Sequence, residues 1–358
     1  MDITVAICTY NGASRVGNVL DKLAIQSMLT PINWEVIVVD NNSHDETVNI
    51  VRNYQESSHL DNKIKYFFES RQGLAYARRR AVQSAKGSLI AFLDDDNLPD
   101  SHWVQSVYDF GQQYPEAGAY GSQICGAYES ELPKDFERIA CFLAVIDRGQ
   151  YPFRYDLLDR WLFPAGAGLV VRRQAWLSAV PEQPRLSGVS GKKLTGKGED
   201  IETLSYIRKA GWQIWHNPDM RVDHIISCDR MSASYLLALF RGVGLSRHHT
   251  RMIRFQQWQR PFATIAYGLN DLRRWLLYYP LHYHEKSEIV VRCELTLLFY
   301  SLLSPFYVLL KPLMNVISQR YQFCFGIAGS AQSTEVSVDD GQWTADIPKA
   351  KRKHTRRV

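Results

Sequence analysis

Four short runs dominate the first hundred residues: ITVAIC at 3–8, WEVIVV at 34–39, IKYFF at Ile64–Phe68 and LIAFL at 89–93. A strand covered on one face alternates apolar with polar residues. Runs that are apolar at nearly every position need cover on both faces. Between these runs the spacing becomes helical. Val16, Val19, Leu20 and Leu23 fall on one face, a helix is expected from Asp45, and another over 73–85. Strand and helix in alternation predict βαβ units, hence an α/β fold with a mainly parallel central sheet flanked by helices.

Such sheets bind ligands beyond the carboxyl ends of their strands. Three predicted strand ends here are polar: Thr9-Tyr10-Asn11, Asp40-Asn41-Asn42 and Asp94-Asp95-Asp96. The last is costly for a fold, because adjacent carboxylates at the end of a buried strand repel unless a cation sits among them. Asp94 and Asp96 form an Asp-x-Asp pair of hard oxygen donors, which suits Mn²⁺ or Mg²⁺. An exposed, water-screened turn is the plainer reading, and this segment alone leaves both open. A second acidic pair, Glu199-Asp200, opens a predicted helix with Ile201, Leu204 and Ile207 on one face and Gly211 at its end. Acids are also favoured at helix N-termini for electrostatic reasons alone.

Taken together the segments resemble the family 2 glycosyltransferases of GT-A fold. They are AICTYNG (6–12), VIVVDNNSHDET (36–47), RQGLAYARRRAV (71–82), IAFLDDDNLP (90–99), PAGAGLVVRR (164–173), GKGEDIETLSYIRKAGWQIWHNPD (196–219) and VDHI (222–225). They stand in the family's order, and among its subgroups the chain is similar to cyanobacterial exopolysaccharide and hormogonium-polysaccharide enzymes.

The resemblance implies a nucleoside-diphosphate sugar donor, UDP-linked, and a divalent cation, Mn or Mg. The acceptor is a saccharide or a lipid-linked saccharide, in polysaccharide biosynthesis with inversion at the anomeric carbon. By position, Thr9, Tyr10, Asn11 and Asp40 match the nucleotide-contacting residues. Arg71 stands where an Asn is often found, and Gly73 and Arg78 match the turn and helix that follow. Gly166 and Gly168 match the segment beneath the sugar. Asp94 and Asp95 match donor-binding positions, while Asp94, Asp96 and His224 match the metal set. Asp200 corresponds to the catalytic base, with Glu199 orienting substrate or loop. Lys192, Lys193 and Lys197 lie in a glycine-rich loop before Glu199, expected to close over the diphosphate. Trp212 and Trp215 are assigned to the core in preference to an acceptor platform.

Two other classes compete. A sugar nucleotidyltransferase needs a glycine-rich phosphate loop after its first strand, and TYNGASRVG is a poor one. A non-catalytic assembly protein would not need Asp94, Asp96 and Asp200 together.

Beyond residue 230 periodicity is the only guide. The segment 262–279 places Phe262, Ile265, Ala266, Leu269, Leu272 and Leu276 at helical spacing, with Arg273 and Arg274 off the stripe. That pattern fits an interfacial helix. The stretch 295–310 is uncharged and contains Pro305, so it reads as a broken or re-entrant membrane helix or a hairpin bent at the proline. The expected division is a catalytic domain 1–230, a helical, partly membrane-associated region 231–327, and a disordered basic tail 328–358. Of the net charge of +5, six positive residues lie in the last ten, KAKRKHTRRV, so the basic character belongs to that tail. Nucleic acid is not its expected partner. Six scattered cysteines with no CxxC pair argue against a zinc site or disulfide framework, and no secretory leader is read at the start. A cytoplasmic enzyme, in contact with the inner face of the plasma membrane, is expected.

Overall fold

The computed structural model describes residues 1–57, 60, 63–158, 161–189, 194, 196–282 and 288–324, with side chains to 307 in the last helix. The basic tail and Lys192 and Lys193 lie outside the described residues. The strands are β1 Ile3–Thr9, β2 Trp34–Asp40, β3 Ile64–Phe68, β4 Leu89–Asp94, β5 Asn97–Pro99, β6 Ala117–Tyr128, β7 Phe153–Arg154, β8 Val170–Arg172 and β9 Gln213–Ile226. The helices are α1 Val16–Ala24, α2 Thr47–Ser57, α3 Leu74–Ser84, α4 Trp103–Gln113, α5 Arg173–Ala179, α6 Glu199–Lys209, α7 Cys228–Met231, α8 Ala233–Met252, α9 Arg260–Leu281 and α10 Ile289–Cys324.

The strands form one sheet in the order β3-β2-β1-β4-β8-β6-β9-β5, with β7 paired to β9. β3, β2, β1 and β4 are parallel, so their carboxyl ends share one rim. Thr9 lies beside Asp40, and Cys8 beside Asp94. The three polar strand ends are therefore neighbours. β8 runs antiparallel between β4 and β6, whereas β6 and β9 are parallel with register shifts. β5 pairs antiparallel with β9 and places Asn97 opposite His224.

Period-two alternation sends Ile3, Val5 and Ile7 into a core with α1 and α4, and Ala6 and Cys8 into one with α3, α5 and α6. Cover on both faces is the physical reason these strands are apolar throughout. A third core joins Phe136 and Ile226 to Leu236, Leu239 and Phe240 of α8 and Val290, Cys293 and Leu297 of α10. α8, α9 and α10 as far as Lys311 thus lie within one compact unit, Met1–Lys311; the chain's second unit starts at Pro312. Trp212 and Trp215 belong to the core, Trp215 stacking against Tyr114 with ring centroids 4.3 Å apart.

Pro305 does not break its helix, contrary to the sequence expectation, since α10 runs from Ile289 to Cys324. A proline withholds the N–H that would bond to the carbonyl four residues earlier. That carbonyl, on Ser301, instead accepts the Ser304 hydroxyl at 2.6 Å. Residues 289–307 of this helix are long and apolar enough to cross a membrane by length and composition, with a mean hydropathy of 1.5. The five cysteines with described side chains are all free.

Candidate active site

The three consecutive aspartates have three different fates, because successive side chains leaving β4 point to different sides. Each meets a different arginine. Asp94 lies 3.4 Å from Arg78 of α3. Asp95 is gripped by Arg15, Nε to Oδ1 and Nη2 to Oδ2, both at 3.0 Å, and accepts the Thr9 hydroxyl at 2.6 Å. Asp96 accepts Nη1 of Arg230 at 2.7 Å and lies 3.4 Å from Nε2 of His224. Asn97 ties the turn together by accepting the Asp94 N–H and donating to Asp96 Oδ1, both at 3.0 Å.

The electrostatics separate the last two. Burial and the adjacent Asp96 push the Asp95 carboxyl up, against the pull of Arg15 and Thr9. Burial also opposes charge on Asp96, but His224 and Arg230 outweigh it and bring that carboxyl down to about 2. Asp95 is therefore a fold clamp, whereas Asp96 remains an anion with a cation beside it.

Arg78 is the centre of the site. It is buried, with Nη2 facing Asp94 and Nη1 facing Glu199 at 3.5 Å. Burial disfavours its charge, yet the facing Asp94 and Glu199 raise its pKa above that of an ordinary arginine. Through this guanidinium the end of β4 meets the start of α6, two elements more than a hundred residues apart. Burial and repulsion by Asp200 push the Glu199 carboxyl up, while Arg78 and Lys197 pull it down. Asp200 accepts the N–H of Ile201 at 2.8 Å and that of Gly166 at 3.1 Å. Gly166 has no room for a side chain, since a Cβ there would stand 2.5 Å from Nη2 of Arg78. Gly168, at φ +63°, accepts the Ser122 hydroxyl on its carbonyl at 2.7 Å.

The first two strand ends form an adjoining shelf. Asn11, in the left-handed region at φ 48°, donates its N–H to Ser43 Oγ and accepts the His44 N–H, both at 2.9 Å. Tyr10 sits edge-on to His44. Asp40 accepts the Ser43 N–H at 2.9 Å and the Tyr66 hydroxyl at 2.8 Å, so both of its oxygens already have partners. Arg71 forms a fork with Glu69 at 2.8 and 3.1 Å, its guanidinium 4.9 Å from the Tyr76 ring centroid. Gly73, at φ 141°, donates its N–H to Asn41 Oδ1 at 2.7 Å.

The structure thus brings Asp94, Arg78, Glu199, Asp200 and Gly166 into one constellation and Asp96 with His224 into another, both anchored on the turn after β4. Asp94 faces Arg78 rather than His224, and no group of three metal-ligating side chains converges among the described residues. The motifs do not single out Arg15, Arg230 or Asn97. Arg15 follows Asn11 by four residues, and Arg230 follows His224 by six, with no periodicity to mark either. An Asp oxygen and an imidazole nitrogen are donor types that Mn²⁺ accepts, and here they already face a single cationic atom. In that respect the residues fit a divalent ion.

A profile of glycosyl transferase family 2 matches residues 4–177. The chain is similar to an uncharacterized glycosyltransferase of Nostoc sp., 25% identical over 192 residues, covering 51% of this chain and 55% of that protein. It therefore spans about half the length of that relative. It is also similar to the glucosyl-dolichyl phosphate glucuronosyltransferase of Haloferax volcanii, 21% identical over 229 residues, covering 63% of this chain and 69% of that one. Among solved structures, the mannosyltransferase PcManGT from Pyrobaculum calidifontis, in complex with GDP-Man and Mn²⁺, superposes with a TM-score of 0.53. It is 18% identical, and the match covers 86% of each chain. That likeness shows the GT-A fold. The profile match spans the β1 rim, the turn after β4 and the Gly166 segment, and residues 4–177 form a family 2 glycosyltransferase domain.

Proposed function

We propose that the chain transfers a sugar, with inversion, from a nucleoside-diphosphate donor to a hydroxyl of a saccharide or lipid-linked acceptor in polysaccharide assembly. The observation that carries this reading is Arg78, buried between Asp94 and Glu199 at 3.4 and 3.5 Å. It joins Asp94, inside the matched family 2 segment, to Glu199 at the start of α6, and these two carboxylates are read as the donor side and the acceptor side of one site. Asp200 is the base: its two backbone hydrogen bonds fix its orientation, and a carboxylate retains further lone pairs to take a proton from the attacking hydroxyl. Glu199 holds the start of α6 and Arg78 in place. Asp96 and His224 would hold a divalent cation, Mn²⁺ or Mg²⁺, which would supply Lewis-acid neutralisation of the departing diphosphate.

The shelf of Thr9, Tyr10, Asn11 and Asp40 is the base and ribose side, and the donor is UDP-linked by resemblance. The Haloferax relative's name describes a dolichyl-phosphate-linked acceptor, which supports a lipid-linked acceptor here. Membrane contact, read here as peripheral, finds support in α9. Phe262, Ile265, Leu269, Leu272 and Leu276 are all exposed along it, with Arg273 and Arg274 exposed beside them. In functional terms the chain divides into a catalytic domain, residues 1–230, a helical region 231–327 that meets the membrane, and a basic tail 328–358.

A panel of sugar nucleotides incubated with Mn²⁺ tests the reading. The correct donor slowly releases its nucleoside diphosphate even without acceptor. Asp200→Asn should slow transfer by about a thousandfold while leaving UDP affinity unchanged. Release of pyrophosphate from a nucleoside triphosphate, or equal transfer by Asp200→Asn, would refute it.

A further inference from the structure

Arg230 occupies the position between Asp96 and His224. Its Nη1 lies 2.7 Å from Asp96 Oδ2 and 2.8 Å from His224 Nε2, so one guanidinium nitrogen uses both candidate ligand atoms at once. Ligand oxygens and imidazole nitrogens stand about 2.0–2.2 Å from a small divalent ion. Such an ion and this nitrogen cannot both take the same two lone pairs. Nor does the guanidinium vacate the seat by losing its proton, since arginine stays charged at any physiological pH.

The present arrangement is also incompletely bonded. Nε of Arg230 and Nδ1 of His224 are buried without a hydrogen-bond partner. Buried polar atoms left this way cost free energy, so the contact is not an optimised structural clamp like Arg15 on Asp95. The carrier is short: Arg230 sits on the four-residue α7, between Ser227 and Ser232, both in extended backbone. Two extended residues flanking a single turn give the segment a place to swing at each end.

We propose that Arg230 is the resting counter-cation of Asp96 and His224, exchanging with the divalent ion at that seat and thereby setting the cation affinity of the donor-free protein. This rests on the reading of Asp96 and His224 as cation ligands. The segment 227–232 leaves the seat when the ion enters and returns when it departs. The full chain without nucleotide then binds Mn²⁺ weakly, because each binding event must first break the Arg230 contacts to Asp96 and His224 and disturb its packing on the Tyr235 ring.

Titration of the full-length protein with Mn²⁺ alone, reading free Mn²⁺ by electron paramagnetic resonance, tests this. Arg230→Gln should bind Mn²⁺ at least about tenfold more tightly than wild type, and Arg230→Lys should stay close to wild type. Affinity in Arg230→Gln that is equal to or below wild type overturns the proposal. Should Arg230→Gln not fold, amide hydrogen exchange on wild type serves instead. Saturating Mn²⁺ should speed exchange across 227–232, and unchanged exchange with Mn²⁺ bound overturns the proposal. Asp96→Asn separates the two levels. If it binds Mn²⁺ as well as its parent, the assignment of the ligand pair itself fails, and the exchange proposal with it.

Discussion

Arg15 and Asp95 face each other as a two-pronged fork, Nε to Oδ1 and Nη2 to Oδ2 each at 3.0 Å, with the Thr9 hydroxyl closing on the same carboxylate. The central member of the triple aspartate is thereby committed to the fold. Arg15→Ala strands a buried carboxylate, yet Arg15 itself is 43% exposed, so water offsets some of the loss. The expected cost is about 2 kcal/mol, read by urea denaturation, with Mn²⁺ binding retained. A variant of unchanged stability would show that the fork contributes nothing.

Arg78 has no such relief. Its side chain is 4% exposed and serves two carboxylates. Arg78→Ala leaves Asp94 and Glu199 facing one another unneutralised and should destabilise the protein by about 3 kcal/mol. Arg78→Lys should fold better but fail in catalysis, because one ammonium cannot reproduce a planar bridge between two separated acids. Circular dichroism and product release together distinguish these outcomes.

Glu199 makes the stability depend on pH in a definite direction. Its carboxyl is raised above the ordinary 4.5 by burial and by Asp200. Below 4.5 it is protonated in both states and contributes nothing. As pH rises, the unfolded chain ionises first, so this group lowers stability progressively until its folded pKa is passed. Denaturation midpoints measured from pH 4 to 8 should fall less in Glu199→Gln than in wild type, Asp95, also raised, contributing equally to both.

Gly166 tests the packing beneath Arg78. An added Cβ would lie 2.5 Å from Nη2 and 2.7 Å from Nη1 of a buried guanidinium. Gly166→Ala should cost about 1–3 kcal/mol as an overpacked site and reduce transfer, because the displaced arginine no longer holds Asp94 and Glu199. Gly268→Ala, where a Cβ meets nothing within 4 Å, is the matched control.

The exposed stripe of α9 predicts binding to anionic vesicles. Phe262 is 70% exposed and Leu269 63%. Replacing both with glutamate should abolish flotation with phosphatidylserine-containing liposomes while leaving donor hydrolysis intact. Equal flotation of the variant would remove the helix from consideration as the contact.

The sequence by itself determined the central sheet and the rim on which the site is built. Apolar runs covered on both faces leave few alternatives to parallel strands, and their polar ends are visible as soon as the runs are found. It also marked Asp94 and Asp96 as chemically significant, because carboxylates at the end of a core strand demand an explanation, whereas Asp200 and His224 stood out through the resemblance to family 2 glycosyltransferases. The local pattern around Pro305 did mislead, since the Ser304 hydroxyl that satisfies the Ser301 carbonyl within the helix leaves no periodic signal.

Only the tertiary structure decided how the acids divide. Arg15, Arg78 and Arg230 come from α1 and its approach, from α3 and from α7, and no spacing along the chain shows which arginine will meet which aspartate. Charge pairing is settled by distances across the fold that sequence separation does not encode. Asp95 becomes a clamp, Asp94 and Glu199 share Arg78, and Asp96 with His224 holds a cationic nitrogen because packing delivers those three guanidinium groups to three sides of one turn.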